Sequence, residues 1–167
     1  MSADVKRRKG LPMVLVAGAV LAVVALATWG LTAARGGGPS GEQEVASEGV
    51  RISVPAAWPR NALRCGTPVE DTYIVDLDVI AGCALMPVPR VDYAEIRRSA
   101  DVASDPVATI ATEEGDAAGH PVRRGAEVLP DGRARRVVVV PERQVVVIAV
   151  ADDPALADAI ADSLRVD

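Results

Sequence analysis

Two pairs of side chains in this 167-residue chain have the type and spacing to do chemistry. Both fall in or beside one stretch, CGTPVEDTYIVDLDVIAGC, residues 65–83. Cys65 and Cys83 stand at its ends and are the chain's only cysteines. They lack the C-x-x-C spacing of a redox dithiol. A zinc site needs about four ligands, and His120 is the sole imidazole. In an exported chain, two cysteines make one bridge and leave none over. The expectation is a structural disulfide Cys65–Cys83, whose loop closure stabilises the fold by about 3 kcal/mol. A thiol sensor is the alternative use of the same pair.

Asp76 and Asp78 share one face of a strand-like run, TYIVDLDV, residues 72–79. Paired carboxylates can bind a hard cation or serve a hydrolase. No spaced Asp/Asn-Gly calcium loop accompanies them, and solvent-facing strand polarity is the favoured reading. His120 sits in Gly-His-Pro, a turn context. None of Ser53, Ser99, Ser104 and Ser163 lies in a Gly-x-Ser-x-Gly elbow. A Ser–Lys mechanism has no lysine to use, because the only lysines are Lys6 and Lys9. Glu113, Glu114 and Asp116 read as a solvated loop cluster. No phosphate-binding glycine fingerprint is present. The expectation is no catalytic residue, no cofactor and no metal site.

The arginines at 97, 98, 123, 124, 133, 135 and 136 could gather on an anionic ligand. Adjacent Arg-Arg pairs point to opposite faces of a strand, however. Pairing with acids across the sheet surface is therefore expected. Beyond residue 10 the chain carries 14 arginines against 22 acids. An acidic body argues against nucleic acid as a partner.

The elements that must position these residues follow from periodicity. Residues 50–54 alternate apolar and polar, a half-buried strand ended by Pro55 and Pro59 around Ala-Ala-Trp58. Strands follow over 72–79, 83–86, 109–112 and 122–129, with Pro130-Asp131-Gly132 as a hairpin turn. Residues 91–99 fit a strand, the favoured reading, or a short helix. Residues 100–108 hold a helical turn. The runs VVVV and VVVIAV, within 133–140 and 144–151, predict two strands buried on both faces. Asp153 caps a closing helix with Pro154 at its first position. Leu156, Ala159, Ile160 and Leu164 form its apolar stripe.

The amino-terminal third is different. Lys6, Arg7, Arg8 and Lys9 precede 24 uncharged residues, 11–34. As a helix these span about 36 Å at ~1.5 Å per residue, enough for a bilayer core of roughly 30 Å. The basic cluster sets the topology, with the amino terminus cytoplasmic, and Trp29 falls at the far interface. A cleaved signal peptide, with Ala25-Leu26-Ala27 as its site, is the alternative. Residues 35–48 read as a flexible tether reaching about 20 Å. The organisation expected is a basic stub 1–10, a transmembrane anchor 11–34, a linker 35–48 and an extracytoplasmic domain 49–167.

Three local patterns resemble the PsbP-like fold as it occurs in exported LpqN-type bacterial proteins. They are VRISVPAAW (50–58), AAGHPVRRGAEV (117–128) and ADDPALADAIADSLRV (151–166). The resemblance implies an antiparallel sheet flanked by helices, in proteins that mostly bind partners rather than catalyse. The fold class expected is α+β: an N-terminal transmembrane helix, then a mainly antiparallel sheet packed by a C-terminal helix, a PsbP-like α/β sandwich. The function expected is a single-pass, membrane-anchored, extracytoplasmic binding domain without catalysis. Its partners would be the lipid bilayer, through residues 11–34, and an unknown envelope protein or ligand. An exported carboxylate-based hydrolase is the alternative.

Overall fold

The computed structural model of the protein describes residues 41–77 and 89–167. Its centre is the pair of valine-rich runs. β9 (Ala134–Val140) and β10 (Val145–Ala151) pair antiparallel, joined by a 3-10 turn at Pro141–Arg143. Gln144 closes that turn in a left-handed conformation, φ 54°. Branched side chains are stiff in a helix and pack well on a pleated surface. β10 is buried at all seven positions, as the continuous apolar run predicts.

Around this pair a six-stranded sheet grows outward. β6 (Tyr93–Arg98) lies antiparallel to β10, and β5 (Thr72–Val75) runs parallel to β6 at one edge. On the other side β8 (His120–Val128) pairs with β9, and β7 (Glu113–Ala117) forms the far edge. The order is β5-β6-β10-β9-β8-β7. A second sheet has the order β1-β2-β11, from Glu42–Ser47, Val50–Pro55 and Arg165–Val166. A small hairpin joins β3 (Leu63–Arg64) to β4 (Thr67–Pro68).

Three hairpins turn on two residues with positive φ: Glu48-Gly49, Cys65-Gly66 and Ala118-Gly119. This is the turn whose twist matches the flanking strands. Pro130-Asp131-Gly132 turns as expected, with the Gly132 N–H donating to the Leu129 carbonyl at 2.8 Å.

Each face of the large sheet has its own core. On one face Ile96, Val122, Val138, Val145 and Val147 meet Val50, Ile52 and Val54 of β2. The single α-helix among the described residues, α1 (Pro154–Asp162), packs on the same side. Asp153 caps it, accepting from the Ala155 N–H at 2.9 Å. Its buried stripe is Ala157, Ile160 and Ala161, continued by Leu164. Leu156 is only half-buried and Ala159 is exposed, so the stripe lies about one position away from the expected one.

On the other face Val137, Val139, Val146, Ile148 and Val150 lie beneath a strap, residues 99–112. The strap carries the 3-10 turn Ala108–Ile110, with Ala108 and Ala111 fully buried. A Cβ on Gly125 of β8 would stand 2.2 Å from the Ile110 carbonyl oxygen, so glycine alone lets the strap lie this close.

Several expectations are corrected. The α+β class gives way to a mainly-β arrangement, with one α-helix, of nine residues, among the described residues. The second sheet exists because Glu42–Ser47, expected in the tether, pair with β2. Residues 109–112 form no strand, and the helical turn of 100–108 is only the start of the strap. The strand expected over 72–79 ends at Val75, because Asp76 turns left-handed at φ 51°. The transmembrane helix is not supported: no helix among the described residues is long and apolar enough to cross a membrane. A nine-residue helix spans only about 14 Å. The span 11–34, with Lys6, Arg7, Arg8, Lys9 and Trp29 beside it, lies outside the described residues, as does the strand expected at 83–86.

Candidate functional site

Asp76 closes β5, and the structure gives its carboxylate fixed partners. The Ser47 hydroxyl donates to Oδ1 at 2.6 Å and the Arg60 guanidinium donates to Oδ2 at 2.8 Å. The first bond ties the β1–β2 hairpin to the edge of the large sheet. Asp76 is thus an acceptor at both oxygens. Both bonds fix the carboxylate in place between Ser47 and Arg60. Asp78, its expected companion, lies outside the described residues.

The edge of β5 is sealed by the chain that precedes it. Tyr73 N–H donates to the Pro59 carbonyl at 3.1 Å, and Asn61 N–H donates to the Tyr73 carbonyl at 2.8 Å. The Asn61 side chain then imitates a neighbouring strand. Its amide donates to the Val75 carbonyl and accepts from the Val75 N–H, each at 2.9 Å.

His120 opens β8 beside the Ala118-Gly119 turn. Its Nδ1 lies 2.6 Å from Glu142, in the β9–β10 turn. Among the described residues no serine bonds this pair, and the contact ties two turns together. Ser163 has its own structural duty, donating to the Ile160 carbonyl at 2.6 Å while accepting from the Ser53 N–H at 2.8 Å.

The arginines are divided between the two faces, as the parity of adjacent Arg-Arg pairs requires. On the α1 side, Arg124 donates to Asp162 at 2.8 Å and Arg136 grips both oxygens of Asp158. The Arg136 bond holds the Asp158 carboxyl below the usual range. These pairs line a cleft of about 180 Å³ between α1 and β8. On the strap side, Arg97 holds both oxygens of Asp105, at 2.9 and 2.8 Å. Arg133 is buried and bonds Asp131 and the Val91 carbonyl, while Arg135 pairs with Glu127. Arg98 pairs with Glu48. Of the seven, Arg123 alone has no ion-pair partner among the described residues. The other six are each held in an internal ion pair.

Burial pushes the Asp105 carboxyl up, but the Arg97 bond and the N–H groups of Ala108 and Val107 outweigh it and hold the group low. Glu95 shows the opposite balance. Burial raises it, Arg97 at 3.6 Å offsets only part, and the Asp105 charge adds to the rise.

Cys65 occupies the first left-handed position of the β3–β4 turn and is not a free thiol. Its expected partner Cys83 lies outside the described residues. No group of three or more His, Cys, Asp or Glu among the described residues could hold a metal ion.

One open feature was not visible as a site in the sequence. A shallow groove of about 490 Å³ has Pro55, Ala57, Trp58, Pro59 and Val91 as walls. Glu70 and Asp71 lie along it. The Gln43 side chain holds the 55–58 turn in shape, donating to the Pro55 and Trp58 carbonyls at 3.1 and 2.7 Å. The signal in the sequence is the pair of prolines around Ala-Ala-Trp58. What it lacks is any hint that residues 70–71 and 91 arrive beside them.

A comparison with protein-family models finds no match, and comparisons with curated proteins and with solved structures find none either. The resemblance to LpqN-type proteins therefore rests on its three sequence patterns alone. These fall on β2 and the turn after it, on the β7–β8 hairpin, and on the run from β10 through α1 to β11.

Proposed function

We propose that this chain carries a non-catalytic binding domain that works outside the cytoplasm. The observation that carries the reading is the state of Asp76. The carboxylate best placed for acid–base work is engaged at both oxygens by Ser47 and Arg60. It serves as a fastener between two sheets. A general acid or base must lie within hydrogen-bond reach of the proton it transfers, and this carboxylate is turned to two structural donors instead. The groove beside Trp58, by contrast, is open and has no such internal partner.

The test has two arms. The purified chain is assayed against ester, peptide and glycoside substrates beside Asp76→Asn. No turnover that depends on Asp76 is expected, and turnover abolished by Asp76→Asn overturns the reading in favour of a hydrolase. Intact cells are then treated with a membrane-impermeant maleimide, with and without prior reduction. Labelling only after reduction is expected of a bridged domain outside the cytoplasm. Labelling without reduction makes the thiols reactive and favours the sensor. Labelling only after lysis, without reduction, places the domain inside and removes the proposal.

A further inference from the structure

We infer that the Trp58 groove binds an extended, proline-containing, basic polypeptide segment. The inference rests on the reading of the domain as a binder, and it names the site and the class of partner.

The backbone chemistry of the groove restricts the occupant first. Pro55 and Pro59 have no N–H to offer. The nearest strand edge, β5, is already paired along its outer side by Pro59, Asn61 and the Asn61 amide. A partner cannot add a strand here, because no free ladder remains. The occupant must keep its own backbone satisfied by water. A polyproline II segment does so, having no internal or cross-strand ladder and a fully solvated backbone. Such segments dock on aromatic-lined grooves and lose little entropy in doing so.

The side chains agree. The walls are apolar and rigid, two prolines and an indole, with Ala57 and Val91 too small to block a ridge. Trp58 is 7% exposed, and no hydrogen-bond partner among the described residues meets its indole N–H. That donor suits a carbonyl of a bound chain.

Charge then selects among such segments. Glu70 has no partner among the described residues, and Asp71 accepts only from the Asp92 N–H, at 2.9 Å. No cation lies among the groove's lining residues. Next door, burial raises the Asp92 carboxyl; the Asp152 N–H and Arg133 oppose the rise, and the charges of Asp71 and Asp152 add to it. An arginine or lysine on the partner would meet Glu70 and Asp71 at the surface.

The experiment is a fluorescence-anisotropy titration of the full chain against a labelled peptide of Pro-Pro-Arg repeats. Two labelled controls, Gly-Ser-Arg and Pro-Pro-Glu repeats of equal length, separate shape from charge. Saturable binding of the first peptide and not of either control is expected. The double change Glu70→Gln with Asp71→Asn keeps the acceptor for Asp92 and should weaken binding about five- to tenfold. Ala57→Arg, at an exposed position, should abolish it, while Glu114→Gln on the distant β7 edge should leave it unchanged. Equal binding of both arginine peptides reduces the effect to net charge and overturns the inference. So does a flat titration, or indifference to Ala57→Arg. A failure here leaves the binding reading intact, whereas turnover dependent on Asp76 removes that reading whatever the peptides do.

Discussion

The two faces of the six-stranded sheet are both dry, yet they are covered in different ways. One meets a second sheet and α1, so its burial is spread over many apolar side chains from β2, α1 and the residues after it. The other meets a single strap of irregular chain, fixed at a few points. One point is Gly125, where backbone touches backbone. Another is Asp105, which holds Arg97 and also accepts from the N–H groups of Val107 and Ala108 at 2.9 and 3.1 Å. A regular element satisfies its own backbone. A strap over a sheet must find partners for each polar group it buries, and an unmade bond costs about 1–3 kcal/mol. The first face should therefore yield to loss of volume, and the second to loss of a particular contact.

The largest effect is expected on the first face. Leu164, 1% exposed in the core beside α1, changed to Ala should cost about 2–5 kcal/mol, from lost transfer energy and the cavity left behind. Urea unfolding would measure it, and the whole domain should lose stability together. A cost below that of the strap variants would break the contrast.

Gly125→Ala comes next. The added methyl overlaps the Ile110 carbonyl, so the strap must lift, at about 1–3 kcal/mol. Here the distribution matters more than the size. Amide exchange should rise across 105–112 and stay unchanged in α1. Uniform loss of protection would mean that the strap is as integral as the helix.

The same contrast explains what could be read from the sequence. Continuous valines announced β9 and β10, because strands buried on both faces need no alternation. Asp153 and Pro154 announced α1, because caps are local chemistry. The stripe of α1 was misplaced by about one position, since alanine fills the tight contact at 157 and 161 while the larger Leu156 stays half-buried. β1 was hidden because EQEVAS shows only one large apolar residue. Its pairing with β2 is a long-range fact, reinforced when Gln43 reaches the turn at Trp58. The strap has no period at all, and what places it is a glycine in β8. The groove draws on three separate stretches, 55–59, 70–71 and 91, and no single stretch states it.

Asp105→Asn should cost about 1–3 kcal/mol at neutral pH, since it removes the charged partner of Arg97 from a site with 5% exposure. Its folded carboxyl lies below the usual 3.8. The stability it provides is therefore complete above that value and is lost as pH falls toward the lower folded one. The gap between wild type and Asp105→Asn should narrow below about pH 4. A gap constant down to pH 2 would show that the ion pair does not hold the strap.

Glu95→Gln should give the smallest effect, and of opposite sign. Glu95 faces the strap side between Arg97 and Asp105, and burial raises its carboxyl above the usual 4.5. Its ionised form is thus disfavoured on folding. That cost is absent below the unfolded value, grows as pH rises through the folded one, and persists above it. Gln carries no charge to bury, so the variant should be slightly more stable than wild type at pH 7 and indistinguishable from it at pH 4. Paired urea midpoints at the two pH values would read the difference. Two neighbouring carboxylates under one strap should then show opposite pH slopes, because Asp105 receives enough donors to offset its burial and Glu95 does not. A Glu95→Gln variant less stable than wild type at pH 7 would mean that Arg97 compensates Glu95 fully, and that the strap is held by a three-member ion cluster rather than by Asp105.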